Sequence, residues 1–323
     1  MKLAIHNKKF IDENGKLFFY TADTAWEIFH KLTFKEAQLF INNRRDKGFN
    51  VIQAVAVAEL DGIHTPTYEA KLLPFSNLET LEVNEAYFDH VKNVIKYANS
   101  QGLFIALVPM WDSYLIPNLA WGGKVKPLFD KEKASKFVDY LSKKFIDLDI
   151  IWLLGGDRSY ITKEHQELIS SMAKTIRKNV GSAQLISAHT QGGRSLYDML
   201  DKPDYLDFLT WQSGHMGKAY PSWRALKMII SVRTYPFLML SPVMNRILSW
   251  MNLPSVAKNR VYALPIVKLD AQAFGLSSQV VPVLPMVVMV SDRCAGRKMI
   301  KLRSLKVPLV PIVMTPFPIG MTP

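Results

Sequence analysis

The sequence predicts an α/β fold, a (β/α)8 TIM barrel of which the first six β/α units are recognisable. Apolar strand-like runs alternate with amphipathic helical stretches through six units, the pattern of a parallel sheet with crossover helices. The best of these runs are apolar along almost their whole length, as strands covered on both faces must be. Polar or aromatic residues stand at the C-terminal end of all six, the end of a barrel where chemistry collects. No G-x-G-x-x-G follows the first strand and no Walker sequence is present, which argues against a nucleotide fold.

Taken in order, the first strand is predicted at Lys16–Tyr20, after the turn Glu13-Asn14-Gly15, and runs into Thr21-Ala22-Asp23-Thr24-Ala25-Trp26. Thr33 opens a helix, with Glu36 three positions on as a capping box, and Gly48 closes it. Asn50–Val57 is the second strand, followed by Glu59-Leu60-Asp61-Gly62, and a helix covers about Asn84–Gln101. Leu103–Val108 is the third strand and ends at Pro109-Met110-Trp111-Asp112; a lid-like loop with Trp121-Gly122-Gly123 follows. The helix Lys131–Phe145 leads to the fourth strand, Asp149–Leu154, in the stretch I-I-W-L-L-G-G-D-R-S-Y at 150–160. Here two glycines end a buried run and a carboxylate is presented directly after them. His165–Val180 is a helix and Gln184–Ala188 the fifth strand, ending at His189; a short helix spans about Leu196–Met199. Tyr205–Thr210 is the sixth strand, ending at Trp211-Gln212-Ser213-Gly214-His215.

Composition bounds the function classes. A chain of 323 residues with 49% hydrophobic and 21% charged residues has enough apolar material for one large barrel or two smaller domains. The one cysteine, Cys294, rules out a disulfide framework and a cysteine metal cluster. The first residues lack an apolar h-region, so a cytoplasmic protein is expected, or a periplasmic or secreted one if the true N-terminus lies upstream. The net charge of +12 comes from one end of the chain. Residues 1–221 hold 26 of the 28 acidic and 27 of the 40 basic residues; residues 222–323 hold Asp270 and Asp292, no glutamate, no histidine, 13 Lys or Arg and nine of the 14 methionines. A nucleic-acid arm would be polar with clustered basic residues, whereas this tail is rich in Val, Leu, Pro and Met with its basic residues scattered. No nucleic-acid or membrane partner is expected, and the composition changes at about Pro221 without a polar linker.

Asp157 is the candidate catalytic residue, since a carboxyl at a strand end beside aromatics can be tuned to act as an acid. Arg158 orients it or pairs with another carboxylate. Asp23, Trp26, Glu59, Asp61, Trp111, His189, Trp211, Gln212 and His215 are candidate substrate-binding residues at neighbouring strand ends. Trp111 and Trp211 at one mouth suggest a stacking platform for the apolar face of a sugar ring. The histidines lack H-x-x-x-H spacing, so no zinc site is read and no cofactor is expected. There is no G-x-S-x-G elbow and Cys294 has no evident partner, which argues against acyl transfer.

Five ordered motifs carry a resemblance: A-D-T-A-W-E-I-F-H at 22–30, N-R-R-x-x-G-F-N-V-I-Q at 43–53, A-E-L-D-G at 58–62, W-L-L-G-G-D-R at 152–158 and W-Q-S-G-H at 211–215. Over roughly residues 8–220 the chain resembles the apiosidase-like glycoside hydrolases, a family long labelled a domain of unknown function and sometimes described as collagenase-like or collagen-binding. The resemblance implies a (β/α)8 barrel and cleavage of apiose-containing pectic oligosaccharides by two carboxyls, with the acid/base Asp of G-G-D at Asp157. It also implies a nucleophilic Glu after the seventh strand, in D-x-E-P-x-Y-E.

That second motif is absent, and no glutamate follows Glu167. L-M-L-S-P-V-M-N at 238–245 stands where it is expected. If Phe237–Asn245 is written TTC TTG ATG CTG AGC CCC GTT ATG AAC, regrouping from the last base of the first codon gives CTT GAT GCT GAG CCC CGT TAT GAA, or L-D-A-E-P-R-Y-E. Some positions leave no choice: in this frame Met244-Asn245 must yield Glu and Met228-Ile229 must yield Asp. The domain expectation is therefore a partial catalytic barrel at 1–221 and an out-of-frame tail at 222–323. The missing acids, the excess methionine and the absent linker then share one cause. Little activity and poor solubility are expected of the chain as it stands, because it lacks a nucleophile and leaves apolar strand edges open. The alternative is a non-catalytic carbohydrate- or protein-binding module, which needs no carboxylate pair. Oligomeric state is left open.

Overall fold

A computed structural model describes residues 2–59, 62–115, 127–160, 162–200, 203–212 and 237–240. The chain opens with an antiparallel hairpin, β1 (Leu3–His6) and β2 (Lys9–Asp12), too short for periodicity to mark. Its turn residues Asn7 and Lys8 both take positive φ, 48° and 65°, the twist that suits a two-residue hairpin loop. The first parallel strand is β3, Ala22–Thr24, which corrects the expectation of Lys16–Tyr20. That run is apolar for another reason. Leu17 bridges back to Ile11, Phe18 packs on Phe104 at 5.6 Å, and Tyr20 packs on Phe10 at 5.8 Å. It covers the sheet's N-terminal end without joining the sheet.

Two helices follow, α1 (Ile28–Lys31) and α2 (Phe34–Asp46). The capping box forms at α2: Glu36 N–H donates to Thr33 Oγ1 at 3.2 Å, and Thr33 N–H donates back to the Glu36 carboxylate at 2.9 Å. The β4 strand (Val51–Val57) is buried at every residue, as its unbroken apolar run requires. A small hairpin, β5 (Phe75–Asn77) and β6 (Glu82–Val83), precedes α3 (Glu85–Ser100), whose N-terminus is capped by Asn84. Next come β7 (Phe104–Met110), a 3-10 turn over Asp112–Tyr114, and α4 (Lys131–Lys144), capped by Asp130. The strand β8 (Ile150–Gly155) is followed by α5 (Lys163–Val180), capped by Thr162, and β9 (Leu185–His189). The last described elements are β10 (Arg194–Ser195), α6 (Leu196–Met199), β11 (Leu209–Gln212) and β12 (Phe237–Leu240).

Strands β3, β4, β7, β8 and β9 form one parallel sheet in that order. β11 continues it through other bonds. Asp207 N–H donates to Ile186 O at 2.8 Å, Ser187 Oγ donates to Phe208 O at 2.6 Å, and Thr210 Oγ1 donates to Ala188 O. β12 then pairs parallel to β11, from Leu209↔Phe237 to Gln212↔Leu240, and β10 pairs antiparallel to β11. This is a parallel central sheet in sequence order, the arrangement of a TIM barrel. β12 belongs to the stretch beyond Pro221, where the composition changes. The sixth strand begins later than expected, at Leu209, because a turn over 203–206 first brings Asp207 onto β9.

Buried polar groups pin the end of the sheet away from the site. Gln184, 2% exposed, accepts from Trp152 Nε1 at 2.7 Å and donates to Phe145 O and Leu148 O at 3.0 and 2.8 Å. Phe10 of the hairpin packs edge-on against Phe208 at 5.1 Å and closes the same end.

Candidate active site

At the C-terminal end of β8 the backbone reverses. Gly155 and Gly156 take φ of +81° and +156°, and Asp157 takes +51°, a left-handed conformation uncommon for a residue with a side chain. Glycine is required at both positions. A Cβ on Gly155 would lie 1.8 Å from the Tyr160 hydroxyl, and one on Gly156 would lie 2.8 Å from the Trp111 ring.

The turn aims Asp157 into a set of neighbours. The register Gly155↔His189 brings the ends of β8 and β9 level. Asp157 N–H then donates to His189 Nδ1 at 3.3 Å, and Gln212 Nε2 donates to Asp157 Oδ1 at 3.1 Å. His189 therefore uses Nδ1 as acceptor and keeps its proton on Nε2. Burial pushes its pKa below the usual histidine value, against the opposing pull of the Asp157 charge. Its ring stands edge-on to Trp26 at 5.4 Å and tilted to Trp111 at 5.9 Å. The Asp157 side chain is 41% exposed and open to a ligand.

Arg158, buried directly beneath, donates from Nη2 to Glu59 Oε1 at 3.0 Å and from Nη1 to Asp157 O at 3.2 Å. Burial raises the Glu59 pKa, and the Arg158 charge works against that rise. Asp112, 0% exposed at the end of β7, is pushed up to about 7 by burial, with Arg158 opposing. Gly156 N–H and the Tyr160 hydroxyl lie beside it, but neither closes a well-formed hydrogen bond to either carboxyl oxygen. The Tyr160 hydroxyl donates to His189 O at 2.6 Å.

The structure thus gathers Trp26, Glu59, Trp111, Asp157, Arg158, His189 and Gln212 at one mouth. Two expected binding residues lie elsewhere. Asp23 is 3% exposed and accepts from Arg44 Nε of α2, so it ties strand to helix. Trp211 is 1% exposed and packs in the core, which corrects the expected platform of Trp111 and Trp211. Trp111 is itself 4% exposed and supports the half-buried Trp26 edge-on at 5.2 Å, leaving Trp26 as the ring that meets solvent. Asp61 and His215 lie outside the described residues. Asp112 and Tyr160 were not singled out by sequence reasoning. Their one signal was adjacency, Asp112 to Trp111 and Tyr160 to G-G-D-R-S. Among the described residues no group of three or more His, Cys, Asp or Glu is arranged to hold a metal ion. No described helix is long and apolar enough to cross a membrane.

Carboxyls converging on the C-terminal mouth of a parallel barrel define a class, the TIM-barrel proteins with the fold of glycoside hydrolases. Solved structures share that fold. A glycoside hydrolase family 5 protein from Bacteroides vulgatus superposes with a TM-score of 0.62 at 23% identity, over 74% of this chain and 53% of that one. The endo-1,4-beta-mannanase of Rhizomucor miehei gives 0.55 at 13% identity, over 78% and 88%. A family 5 mannosidase from the same organism gives 0.55 at 12%, over 74% and 72%. The chain spans about half the length of the first of these. No curated protein matches the sequence. The apiosidase-like catalytic domain matches residues 5–246, three quarters of the chain, and the chain belongs to that family.

Proposed function

We propose that this chain is a glycosidase catalytic domain acting on apiose-containing pectic oligosaccharides, with Asp157 as acid/base. The observation that carries the reading is the setting of Asp157: partly exposed at the mouth and held by Gln212 and by His189, on which the half-buried Trp26 packs. One carboxylate oxygen accepts from Gln212, which leaves the other to carry a proton to the glycosidic oxygen. We propose further that residues from about Ser222 onward are an out-of-frame translation, so that the nucleophilic Glu and the native sequence of the last two barrel units are lost, even though Phe237–Leu240 still pairs beside β11 and the family match runs to residue 246. Among the described carboxylates at the mouth, Glu59 is tied to Arg158 and Asp112 is sealed below the turn, so neither substitutes as nucleophile. The chain as it stands is therefore expected to hydrolyse very little.

Sugar release from an apioside is measured with three proteins: the chain as written, a version with the frame restored before Ser222, and the restored version carrying Asp157→Asn. Baseline activity is expected for the first, robust activity for the second, and a fall of about 10²–10⁴-fold for the third. Hydrolysis by the chain as written, lost in its own Asp157→Asn variant, sinks the missing-nucleophile proposal. A restored variant indifferent to Asp157→Asn sinks the acid/base assignment. Sequencing the gene around codons 218–230 decides the frame directly.

A further inference from the structure

Two carboxyls, Glu59 and Asp112, flank the Arg158 guanidinium. Glu59 takes its Nη2, and the Asp157 carbonyl takes its Nη1. Asp112 is wholly buried with no hydrogen bond to either oxygen, and the buried Arg158 Nε and Trp111 Nε1 also lack partners. A Cβ on Gly155 would lie 3.2 Å from Asp112 Oδ2, so the carboxyl sits directly beneath the G-G-D turn.

We propose that Asp112 is a positioning residue of this site, a carboxylic acid kept protonated under Asp157 so that Arg158 stays on Glu59 and the turn presenting Asp157 stays in place. The proposal rests on reading Asp157 as the acid/base. An ionised carboxylate here would be buried with no well-formed hydrogen bond to either oxygen, which proteins avoid by holding the proton. The cationic donor that could answer its charge is Arg158, whose Nε is buried without a partner. Ionisation of Asp112 therefore pulls the guanidinium toward itself and away from Glu59, and with it the backbone carbonyl of Asp157. The titratable and charged groups that act on Asp112 are Arg158, Asp157 and Tyr160, all after β8; Glu59 after β4 meets it through Arg158, and His189 at the end of β9 through the Tyr160 hydroxyl. Of these only Arg158 favours the charged form as a cation, while burial lowers the His189 pKa. Burial places the titration near neutral pH, at about 7.

Infrared difference spectra of the full chain with isotope-labelled aspartate read the proton directly and need no hydrolysis. A protonated-carboxyl band is expected in mildly acidic buffer, disappearing with a midpoint near neutral pH, and absent in Asp112→Asn. In Glu59→Gln, Arg158 is released to Asp112, and the midpoint is expected to move to lower pH. A wild-type spectrum without the band, or a band that survives Asp112→Asn, overturns the assignment. A midpoint unmoved in Glu59→Gln overturns the positioning role. Because these spectra are independent of turnover, failure of the acid/base assignment appears only in the sugar-release assay.

Discussion

Replacing Gly155 by alanine should cost the fold about 3–6 kcal/mol, and the structure itemises why. Gly155 sits at φ +81°, where an L-residue pays about 1–2 kcal/mol. The added Cβ would lie 1.8 Å from the Tyr160 hydroxyl and 2.9 Å from its Cζ. Tyr160 cannot yield cheaply, because it is fully buried and its hydroxyl is bonded to His189 O at 2.6 Å. Moving it gives up that bond, about 1 kcal/mol, and strains a packed core by about 1–3 kcal/mol. The assay is equilibrium urea denaturation followed by tryptophan fluorescence, with Gly15→Ala as reference. Gly15 has a similar φ, +76°, with nothing within 4 Å, so it isolates the backbone cost of about 1–2 kcal/mol. If the two variants lose the same stability, the close approach of Tyr160 beneath the turn is wrong, and the packing argument for the site falls with it.

Three further outcomes follow from the same contacts. Gln184→Leu orphans the Trp152 indole N–H and the carbonyls of Phe145 and Leu148, each worth about 1–3 kcal/mol; an unshifted urea midpoint contradicts the network. Asp23→Asn breaks the buried contact with Arg44 and should cost about 3–5 kcal/mol while leaving ligand affinity alone, which calorimetry with an apioside checks. The pH dependence has a definite sign. Asp112 is raised from 3.8 to about 7 in the folded state, so between those values the folded chain holds a proton that the unfolded chain has released. Its contribution to stability is intact below about pH 4 and is lost as pH rises to about 7, at most about 4 kcal/mol in all. Asp112→Asn should flatten that slope in thermal melts, and an identical slope in variant and parent rejects the raised value.

Much of the barrel was legible because parallel strands buried on both faces leave an unbroken apolar run. Val51–Val57, Phe104–Met110 and Ile150–Gly155 could be found within a residue or two from that mark alone. The cap at Thr33 was legible because its chemistry is local, a side-chain oxygen answering an N–H three residues on. Lys16–Tyr20 misled for the opposite reason: burial against the end of a sheet selects the same residues as burial within it. Asp23 misled because a strand end has two sides, and the chain alone does not say that this carboxylate turns toward Arg44 on α2.

By itself the sequence determined the strand–helix rhythm, the glycines that bend the chain after β8, and Asp157 as the carboxyl they present. It also recorded the change of composition after Pro221 and the absence of any glutamate beyond Glu167. Only the tertiary structure decided which groups meet Asp157. His189, Gln212, Arg158, Glu59 and Asp112 come from four different strand ends and the turn itself, and they converge because parallel strands in register deliver their C-termini to one mouth. Burial then shifted their titration: a carboxyl closed off from water holds its proton more tightly, and an imidazole closed off from water holds its proton less tightly. Neither property belongs to a residue in a string; both follow from what surrounds it once the barrel has formed.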